Sequence, residues 1–417
     1  MKKIRIEGGH PLRGTIKISG AKNSAVALVP ASLLAEDVVK IDNIPNISDI
    51  EALNEILKYL GAKVNRYEEI MEINPKTVEN KEIPEDISKK LRASYYFMGA
   101  MLGKYKKATM YFPGGCSIGA RPIDLHLKGF EALGAKVIIE NNKYTIVADE
   151  LIGTNIYLDF ASVGATINIM LAATKAKGTT IIENAAKEPE IVNVATFLNQ
   201  MGAKITGAGT SEIKIKGVEK LKGCYSEVIP DRIEAGTYII AGALIGDNLK
   251  IDNIIPEHIE SLLLKLKEMK VKMKIGKDHI YISKIEKMKN INLQTQVFPG
   301  FPTDLQQPMT TLLTQCTGLS ILEENIYENR FQNVEYLNQM GASIRIDNKL
   351  LLIDGPTKLV GKEVKATDLR AGACLVLSGL IAEGSTTITD VGHILRGYEN
   401  IIEKLSSLGA KISLIEE

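Results

Sequence analysis

One short phrase recurs along the chain and constrains its fold more than any other feature of the sequence. Five copies read LGAKV or a close variant, at Leu60–Val64, Leu133–Val137, Met201–Ile205, Met340–Ile344 and Leu408–Ile412. They follow one another at about 70 residues, apart from one interval about twice as long. The segment Met269–Met273, which reads MKVKM and lacks the glycine, falls in that interval. The sequence therefore consists of six related repeats.

Each repeat has the same order of predicted elements. It begins with a helix that is apolar on nearly every face, which predicts burial on most sides. These helices are predicted at Asn23–Ala35, Ser94–Gly103, Ser162–Thr174, Ile233–Ile245, Thr303–Gln315 and Thr367–Ala382. A β-branched strand follows, such as Thr179–Asn184, and then an amphipathic helix, such as Ile191–Ala203. The Gly-Ala that ends this second helix is typical of a left-handed C-cap, and alternating strands close the repeat.

This order predicts the fold class. A buried helix flanked by strands and by a second, amphipathic helix indicates an α/β protein with helices inside and sheets outside. Three repeats would close around a helical centre, so six repeats predict two similar domains. The alternative is a single linear solenoid, which is less favoured because solenoid repeats usually have about 20–50 residues and less apolar helices.

Composition argues against several classes of function. The formal net charge of +1 gives no sign of bulk electrostatic binding to nucleic acid or to an anionic membrane. No apolar run approaches the ~20 residues of a membrane span, and MKKIRIEGGH at the N-terminus lacks the core of a signal peptide. Four scattered cysteines indicate a reducing cytoplasm. The histidines are too dispersed for a local metal motif, and the glycine loops that bind nucleotides are missing.

Charged residues stand where the buried helices are predicted to begin. They are Lys22, Arg92, Asp231, Arg232, Asp304, Asp368 and Arg370. Helix capping explains the acidic members, because an aspartate there accepts hydrogen bonds from free N–H groups and opposes the helix dipole. Capping does not explain the cations, whereas a bound anion would. At any one position the structural role stands beside the functional one, but recurrence across the repeats favours an anion site.

Two arginines and a cysteine extend this set. Arg121 and Arg396 precede the amphipathic helices of their repeats, and arginine suits bidentate binding of phosphate or carboxylate. Cations from both halves of the chain predict a cleft between two domains that holds a small, highly charged ligand. Cys116 lies in the glycine-rich stretch PGGCSIG shortly before Arg121. A nearby cation lowers the pKa of a thiol, so Cys116 is predicted to act as an acid or a nucleophile. The other three cysteines adjoin apolar stretches and are predicted to be packing residues.

Seven segments together resemble the family of UDP-N-acetylglucosamine enolpyruvyl transferases (UDP-N-acetylglucosamine 1-carboxyvinyltransferases), within the EPSP synthase-like superfamily. They read SGAKNSA, PGGCSIGARPIDLH, ENAAKEPEI, FPTDLQ, ENR, ATDLRAGA and HILRGYE. The resemblance covers the whole chain in order, and the cysteine loop separates it from the sister enolpyruvyl transferases of the shikimate pathway. It implies two inside-out α/β barrel domains of three repeats each, with the active site in the cleft between them. One domain would contain residues 22–230, and the other residues 1–21 and 231–417.

The resemblance also implies a reaction. The enolpyruvyl group of phosphoenolpyruvate would pass to the 3′-hydroxyl of UDP-N-acetylglucosamine by addition and elimination through a tetrahedral intermediate, with release of phosphate. This is the first committed step of peptidoglycan synthesis, and hence of cell-wall biogenesis, cell shape and cell division, in the cytoplasm. The family is a target of fosfomycin. No cofactor, metal, nucleic acid or membrane partner is implied, and a monomer is expected. Two alternatives remain: the sister reaction on shikimate 3-phosphate, and a non-catalytic repeat scaffold.

The family's functional residues match positions of this chain. The resemblance implies Cys116 as proton donor and site of a covalent adduct, and Asp304 as general base for the 3′-hydroxyl. Lys22, Asn23 and Arg396 would also be catalytic, and Asp368 would line the reacting centre. Phosphoenolpyruvate would contact Lys22, Asn23, Arg121, Arg370 and Arg396. UDP-N-acetylglucosamine would contact Arg92, Arg121, Pro122, Ile123, Asp124, Leu125, Ser162, Val163, Gly164, Asp304 and Ile326.

One position departs from the family pattern. Some relatives carry a lysine two residues before the SVG segment, where it helps to bind the sugar nucleotide. This chain has Phe160 there. No ionic contact is therefore implied at this place, and a contact by Phe160 would be apolar or stacking.

Overall fold

The computed structural model describes residues 2–111 and 123–416. These residues form two compact units. The N-terminal unit contains the described residues from Gly20 to Ile229. The C-terminal unit contains the residues up to Ser19 together with those from Pro230 onward, so the first strands of the chain belong to the same unit as its last ones.

The helices of the described residues follow the predicted repeat, and three of them begin directly after a tighter turn. They are α1 (Lys22–Ala31), α2 (Ser48–Leu60), α3 (Glu85–Ser88), α4 (Tyr96–Tyr105), α5 (Asp124–Ala132), α6 (Val163–Ala173), α7 (Pro189–Gln200), α8 (Arg232–Ile245), α9 (Glu260–Glu268), α10 (Gln306–Leu313), α11 (Asn333–Gln339), α12 (Leu369–Ile381), α13 (Gly392–Leu395) and α14 (Ile401–Ser407). Short 3-10 turns lie at Ser32–Leu34, Arg92–Tyr95, Pro256–Ile259 and Thr303–Leu305. The helices predicted from Ser94 and from Thr303 thus begin in 3-10 turns, a common way to enter an α-helix.

The strands of the described residues are short. They are β1 (Lys2–Glu7), β2 (Thr15–Lys17), β3 (Val39–Asp42), β4 (Lys63–Tyr67), β5 (Ile70–Asn74), β6 (Lys107–Tyr111), β7 (Lys136–Glu140), β8 (Lys143–Val147), β9 (Asn155–Tyr157), β10 (Thr179–Glu183), β11 (Lys204–Thr206), β12 (Glu212–Lys216), β13 (Tyr225–Glu227), β14 (Leu249–Asp252), β15 (Met273–Ile275), β16 (His279–Ile282), β17 (Met288–Lys289), β18 (Asn292–Gln294), β19 (Cys316–Glu323), β20 (Ser343–Asp347), β21 (Leu350–Gly355), β22 (Glu363–Lys365), β23 (Ser385–Thr389) and β24 (Lys411–Glu416).

Apolar helices occupy the centre of each unit. In the N-terminal unit α4 packs on α1 and α6, and in the C-terminal unit α8, α10 and α12 pack on one another. Every residue of α8 from Ile233 to Ile245 is buried. A helix that is apolar on all faces can satisfy them only inside the protein, so the predicted helical centre is confirmed. None of the helices in the described ranges is both long and apolar enough for a membrane span.

Within the described ranges, three sheets surround the helices of each unit. The N-terminal unit has the strand orders β11-β12-β10-β9, β13-β3-β5-β4 and β6-β8-β7. The C-terminal unit has the orders β22-β23-β1-β24, β15-β16-β14-β2 and β17-β19-β21-β20, with β18 also on β19. Their strands alternate in burial, as in β12, where Ile213 and Ile215 point inward between charged residues. Helices inside and sheets outside are thus what the apolar pattern predicted.

Strand pairing closes each unit into a ring. In the N-terminal unit β13, which follows the third repeat, pairs in parallel with β3 of the first repeat. In the C-terminal unit β1 lies between β23 and β24, with Ile4 opposite both Ile388 and Leu414, and β2 pairs with β14. The alternative of a single linear solenoid is therefore wrong. In the N-terminal unit the strand that follows the last repeat joins the sheet of the first repeat, and in the C-terminal unit β1 and β2 lie in the sheets of the last and the first repeat.

The repeated glycine ends the amphipathic helices in the left-handed conformation, as predicted. Its φ angle lies between +95° and +106° at Gly61, Gly134, Gly202, Gly341 and Gly409. In the repeat without the glycine, Lys270 takes this position after α9 with a φ of +70°. The backbone thus keeps the same helix ending where the sequence does not supply the residue that favours it.

Candidate active site

Most of the predicted site residues fall in the described part of the chain, divided between the two units. Cys116, Arg121 and Pro122 lie outside the described residues. The N-terminal unit contains Lys22, Asn23, Arg92, Ile123, Asp124, Leu125, Ser162, Val163 and Gly164. The C-terminal unit contains Asp304, Ile326, Asp368, Arg370 and Arg396.

Lys22 is the first residue of the buried helix α1 and points toward an acidic partner. Its Nζ lies 2.7 Å from Oδ2 of Asp49, which sits in the first turn of α2. The two side chains are 14% and 3% exposed, so the pair is largely shielded from water. A cation is unfavourable at the start of a helix, and the sequence alone did not explain why Lys22 stands there. The negative charge of Asp49 offsets part of this cost. Asn23 follows Lys22 and is half-buried.

The buried side chain of His126 lies next to the segments predicted to bind the sugar nucleotide. In the sequence it was only one of several scattered histidines. Nδ2 of Asn168 donates to Nδ1 of His126 over 2.8 Å, and Oδ1 of Asn168 accepts from the Gly99 N–H over 2.9 Å. The second bond orients the amide, so Nδ1 of His126 is the acceptor and Nε2 carries the proton. Burial lowers the pKa of His126 to about 3, with a smaller contribution from the charge of Arg92. The imidazole is therefore neutral.

His126 connects the start of α5 with the start of α6. The ring of Tyr95 packs edge-on against it at 4.9 Å between ring centres. A Cβ at Gly164 would lie 2.9 Å from Cε1 of His126 and 3.0 Å from the Tyr95 hydroxyl. Only glycine leaves room for this close approach. The signal in the sequence was the position of His126 at the end of the ARPIDLH segment.

The remaining predicted residues of the N-terminal unit lie at helix starts or on the surface. Ser162 caps α6, its hydroxyl accepting from the Ala165 N–H over 3.3 Å. Asp124 is exposed at the start of α5, and Leu125 is half-buried. Phe160 is 48% exposed, which leaves its ring free to meet a ligand from solvent.

Asp304 lies between two buried arginines in the C-terminal unit. Its Oδ1 accepts from Nη2 of Arg330 over 2.8 Å, and its Oδ2 accepts from Nη2 of Arg370 over 3.0 Å. The arginine side chains are 3% and 4% exposed, whereas that of Asp304 is 25% exposed. The two arginines thus fix the Asp304 carboxylate on its buried side, and part of the carboxylate remains accessible to solvent. Burial alone would raise its pKa, but the charges of Arg370 and Arg330 outweigh burial and hold the pKa well below its usual range.

Capping explains two of the three aspartates that precede buried helices, but it is wrong for Asp304. Asp231 caps α8, accepting from the N–H groups of Ile233 and Glu234. Asp368 caps α12, accepting from those of Arg370 and Ala371. Both oxygens of Asp304 instead bind guanidinium groups. The physical reason is that the 3-10 turn Thr303–Leu305 presents its side chain to Arg330 and Arg370, and charge-assisted hydrogen bonds are stronger than those of a neutral cap.

Arg370 and Asp368 are anchored on their inner sides. The guanidinium of Arg370 lies over the ring of Tyr398 at 5.3 Å, a cation–π arrangement. Nε2 of Gln307 donates to Oδ2 of Asp368 over 3.2 Å. Arg396, also predicted, ends the short helix α13 and is half-buried. These packed surroundings restrict Arg370 to the orientation in which it meets Asp304.

Arg330 was not assigned a role from the sequence, although the ENR segment that contains it was part of the resemblance. It lies far from the buried helix starts along the chain, and only packing brings it to Asp304. Nη1 of Arg330 also donates to Oγ1 of Thr303 over 2.7 Å. Its ring partner is Tyr327, 5.1 Å from the guanidinium carbon.

The other cysteines are packing residues, as predicted from their apolar surroundings. Cys316 and Cys374 are fully buried, and Cys224 packs half-buried against the core of the N-terminal unit. Burial raises the pKa of Cys224 to about 11, of Cys316 to about 12 and of Cys374 to about 11. Since the thiolate is the reactive form, these three residues are poor nucleophiles at neutral pH.

Known proteins are similar to this chain over nearly its whole length. Residues 6–405 match the model of the family described as EPSP synthase (3-phosphoshikimate 1-carboxyvinyltransferase). A solved structure of the enolpyruvyl transferase NikO from Streptomyces tendae has a TM-score of 0.90 and 26% identity, covering 99% of each chain. The EPSP synthase of Acinetobacter baumannii, at 16% identity, has the same fold with a TM-score of 0.77 over 100% of each chain. The chain belongs to the EPSP synthase family of enolpyruvyl transferases.

Two relatives narrow this membership. The UDP-N-acetylglucosamine 1-carboxyvinyltransferase 2 of Geobacillus kaustophilus is 54% identical over 412 residues, which are 99% of this chain and 96% of the relative. The protein of the same name from Listeria innocua is 53% identical over 411 residues, 99% of this chain and 97% of the relative. Within the family, the chain belongs with the UDP-N-acetylglucosamine 1-carboxyvinyltransferases.

Proposed function

We propose that this chain transfers the enolpyruvyl group of phosphoenolpyruvate to the 3′-hydroxyl of UDP-N-acetylglucosamine, with release of phosphate. One observation carries the proposal: 54% identity over 99% of the chain to a relative that bears the name of this activity. The described residues support it with buried cations suited to an anionic substrate and a carboxylate suited to a hydroxyl. The reaction would commit the sugar nucleotide to peptidoglycan synthesis in the cytoplasm.

Phosphoenolpyruvate carries a phosphate and a carboxylate, so it needs several positive groups. We assign Lys22, Arg121, Arg370 and Arg396 to this task, with Asn23 beside them. Lys22 and Arg370 are already held in place, by Asp49 and by Tyr398 respectively. A cation that is oriented before the substrate arrives loses little side-chain entropy on binding. The proposal requires residues of both units to act on one substrate.

UDP-N-acetylglucosamine is assigned to the starts of three helices in the N-terminal unit and to two residues of the other unit. The contacts would come from Arg92, from the residues Arg121 to Leu125, and from Ser162 to Gly164. Asp304 would meet the 3′-hydroxyl, and Ile326 would also contact the sugar nucleotide. The N-terminus of α6 suits the diphosphate, because its free N–H groups attract anions.

The bond changes balance as an addition followed by an elimination. The 3′-oxygen attacks C2 of phosphoenolpyruvate and gives its proton to Asp304, while Cys116 gives a proton to C3. The tetrahedral product then returns a proton from C3 to the Cys116 thiolate, the C2–C3 double bond forms again, and the bond from C2 to the phosphate oxygen breaks. Asp304 releases its proton as the phosphate leaves, so both residues regain their starting protonation states. Asp304 is ionised and so can take the proton. An anionic substrate that draws the charge of Arg370 would raise the pKa of Asp304 and strengthen it as a base.

Phosphate release tests the proposal. The full-length protein, given phosphoenolpyruvate, is expected to release phosphate only when UDP-N-acetylglucosamine is also present. Release with shikimate 3-phosphate and none with UDP-N-acetylglucosamine would assign the chain to the sister reaction. No release with either acceptor, together with a thermal midpoint unchanged by UDP-N-acetylglucosamine, would favour a non-catalytic scaffold.

A further inference from the structure

A buried carboxylate outside the assigned residues lies beside the Asp304 cluster. Glu324, which directly follows β19, is 3% exposed. Its Oε1 accepts from the hydroxyl of Thr295 over 2.9 Å and from the N–H groups of Ile326 and Tyr327 over 2.8 and 3.1 Å. Its Oε2 accepts from the hydroxyl of Thr303 over 2.9 Å. A carboxylate buried to this extent is costly unless its lone pairs are used, and four donors use them here.

The first oxygen of Glu324 shapes the turn that contains Ile326. Two successive N–H groups point to one carboxylate oxygen, which fixes the backbone just after Glu324. The neighbouring residue Asn325 is held as well, since its N–H donates to Oγ1 of Thr295 over 2.8 Å. Ile326, the residue assigned to the sugar nucleotide, therefore takes its place from Glu324.

The second oxygen of Glu324 acts on Asp304 through two further groups. Thr303 has one hydroxyl proton and donates it to Glu324, so its lone pairs face the other way. Nη1 of Arg330 donates to one of these lone pairs over 2.7 Å, and Nη2 of the same arginine donates to Asp304 over 2.8 Å. The direction of every hydrogen bond from Arg330 to Glu324 is thus set by the carboxylate at the end.

We infer that Glu324 is a positioning residue for the acceptor sugar nucleotide. One of its oxygens places the backbone of Ile326, and the other places Arg330, and through it Asp304, by way of Thr303. A single buried carboxylate thereby keeps the general base in register with the contact that holds the acceptor. The inference rests on the proposed function and adds to it the group that aligns two of its residues.

A matched pair of variants tests this role. Glu324→Gln keeps the shape of the side chain and removes its charge. Glu323→Gln makes the same change on the preceding residue, which forms an ion pair with Lys349. In Glu324→Gln the kcat/KM for UDP-N-acetylglucosamine is expected to fall by about 10- to 100-fold, because small misplacements of a base are costly. The KM for the sugar nucleotide is expected to rise more than the KM for phosphoenolpyruvate. Glu323→Gln is expected to stay within about twofold of the wild type.

The intermediate hydroxyl provides a second, independent test. Thr303→Val removes the hydroxyl and keeps the shape, whereas Thr303→Ser keeps the hydroxyl and is expected to recover most of the activity that Thr303→Val loses. The Glu324→Gln and Thr303→Val effects on kcat/KM are expected to be far from additive, since both break one chain of hydrogen bonds. If Glu324→Gln does not fold, the comparison of Thr303→Val with Thr303→Ser still tests the chain.

The outcomes separate this inference from the proposed function. If the wild-type protein shows no turnover that requires UDP-N-acetylglucosamine, both the proposed function and the positioning role of Glu324 are wrong. If the wild-type protein shows this turnover but Glu324→Gln and Glu323→Gln have the same kcat/KM, only the positioning role of Glu324 is wrong. Additive effects of Glu324→Gln and Thr303→Val, or equal activity of the valine and serine variants, also overturn it.

Discussion

Nζ of Lys22 lies 2.7 Å from Oδ2 of Asp49, and this ion pair joins the first turn of the central helix α1 to that of the outer helix α2. Both side chains are largely buried. Charges shielded in this way depend strongly on each other, because removing one leaves the other with an uncompensated cost of burial.

The Lys22→Met variant is accordingly expected to lower the free energy of unfolding by about 2–4 kcal/mol. The double variant Lys22→Met/Asp49→Asn is expected to regain part of this loss, since it no longer buries the carboxylate charge. Urea denaturation of the wild type, both single variants and the double variant would give the coupling. Losses that simply add would show that the two residues act independently.

Glu234 makes the stability of the C-terminal unit depend on pH. Its oxygens accept from Lys404 over 2.5 Å and from the Ser19 N–H over 2.8 Å, and burial raises its pKa from 4.5 to about 6. Glu234 therefore binds a proton more tightly in the folded state, where its pKa is about 6, than in the unfolded chain, where it is 4.5. Its contribution to stability is fully present below about pH 4.5 and is lost as the pH rises through about 6.

Relative to Glu234→Gln, the wild type is thus expected to gain up to about 2 kcal/mol as the pH falls from 7 to 4.5. Thermal or urea unfolding at several pH values would measure the difference. The exposed residue Glu260 provides the control, because Glu260→Gln is expected to leave the pH dependence of the wild type in place. A difference between wild type and Glu234→Gln that does not change with pH would contradict the prediction.

Lys270 offers a stabilising substitution. Its φ of +70° is costly for a residue with a Cβ, and glycine occupies the same position in the other repeats. Lys270→Gly is expected to raise the free energy of unfolding by about 0.5–1 kcal/mol, and Gly202→Ala to lower it by about 1 kcal/mol. A Cβ at Gly202 has no atom within 4 Å, so its effect reports backbone strain alone. Denaturant unfolding would decide, and destabilisation by Lys270→Gly would mean that the lysine side chain contributes more than the strain costs.

The cysteines are expected to differ in reactivity. Fosfomycin, an epoxide, is predicted to label Cys116, with UDP-N-acetylglucosamine promoting the reaction, whereas the raised pKa values of Cys224, Cys316 and Cys374 keep them unlabelled. Peptide mapping by mass spectrometry would locate the adduct. Cys116→Asp is expected to abolish labelling and to retain some turnover. Labelling of any of the other three cysteines would refute the assignment of Cys116.

Much of the fold could be predicted from the sequence because its signals are local. Apolar residues on all faces of the segment Ile233–Ile245 predicted a buried helix, and the structure buries every one of them. The glycine found in five of the six repeats predicted a left-handed helix end, since only residues within one turn decide it. The ring closure was less direct, because the pairing of β13 with β3 joins residues far apart in the chain.

The candidate site divides in the same way. The charged residues before the buried helices were visible as a recurring set, and the aspartate caps at Asp231 and Asp368 follow from their own helices. The partners of Asp304 were not visible, because Arg330 and Arg370 reach it only after α10, β19 and α12 have packed. His126 and Glu324 were missed for the same reason, since their importance lies in the groups that surround them and not in a spacing along the chain.

The sequence by itself determined the six repeats, the buried helices and the family, since repetition, apolar pattern and motifs are properties of neighbouring residues. Only the tertiary structure decided that Asp304 serves two arginines instead of capping a helix, and that Asp49 meets Lys22. It also revealed that Glu324 connects Ile326 with Asp304 through hydrogen bonds of Thr303 and Arg330. The physical reason is that a hydrogen bond or ion pair depends on distance in space, which the chain acquires only when its helices and sheets have packed.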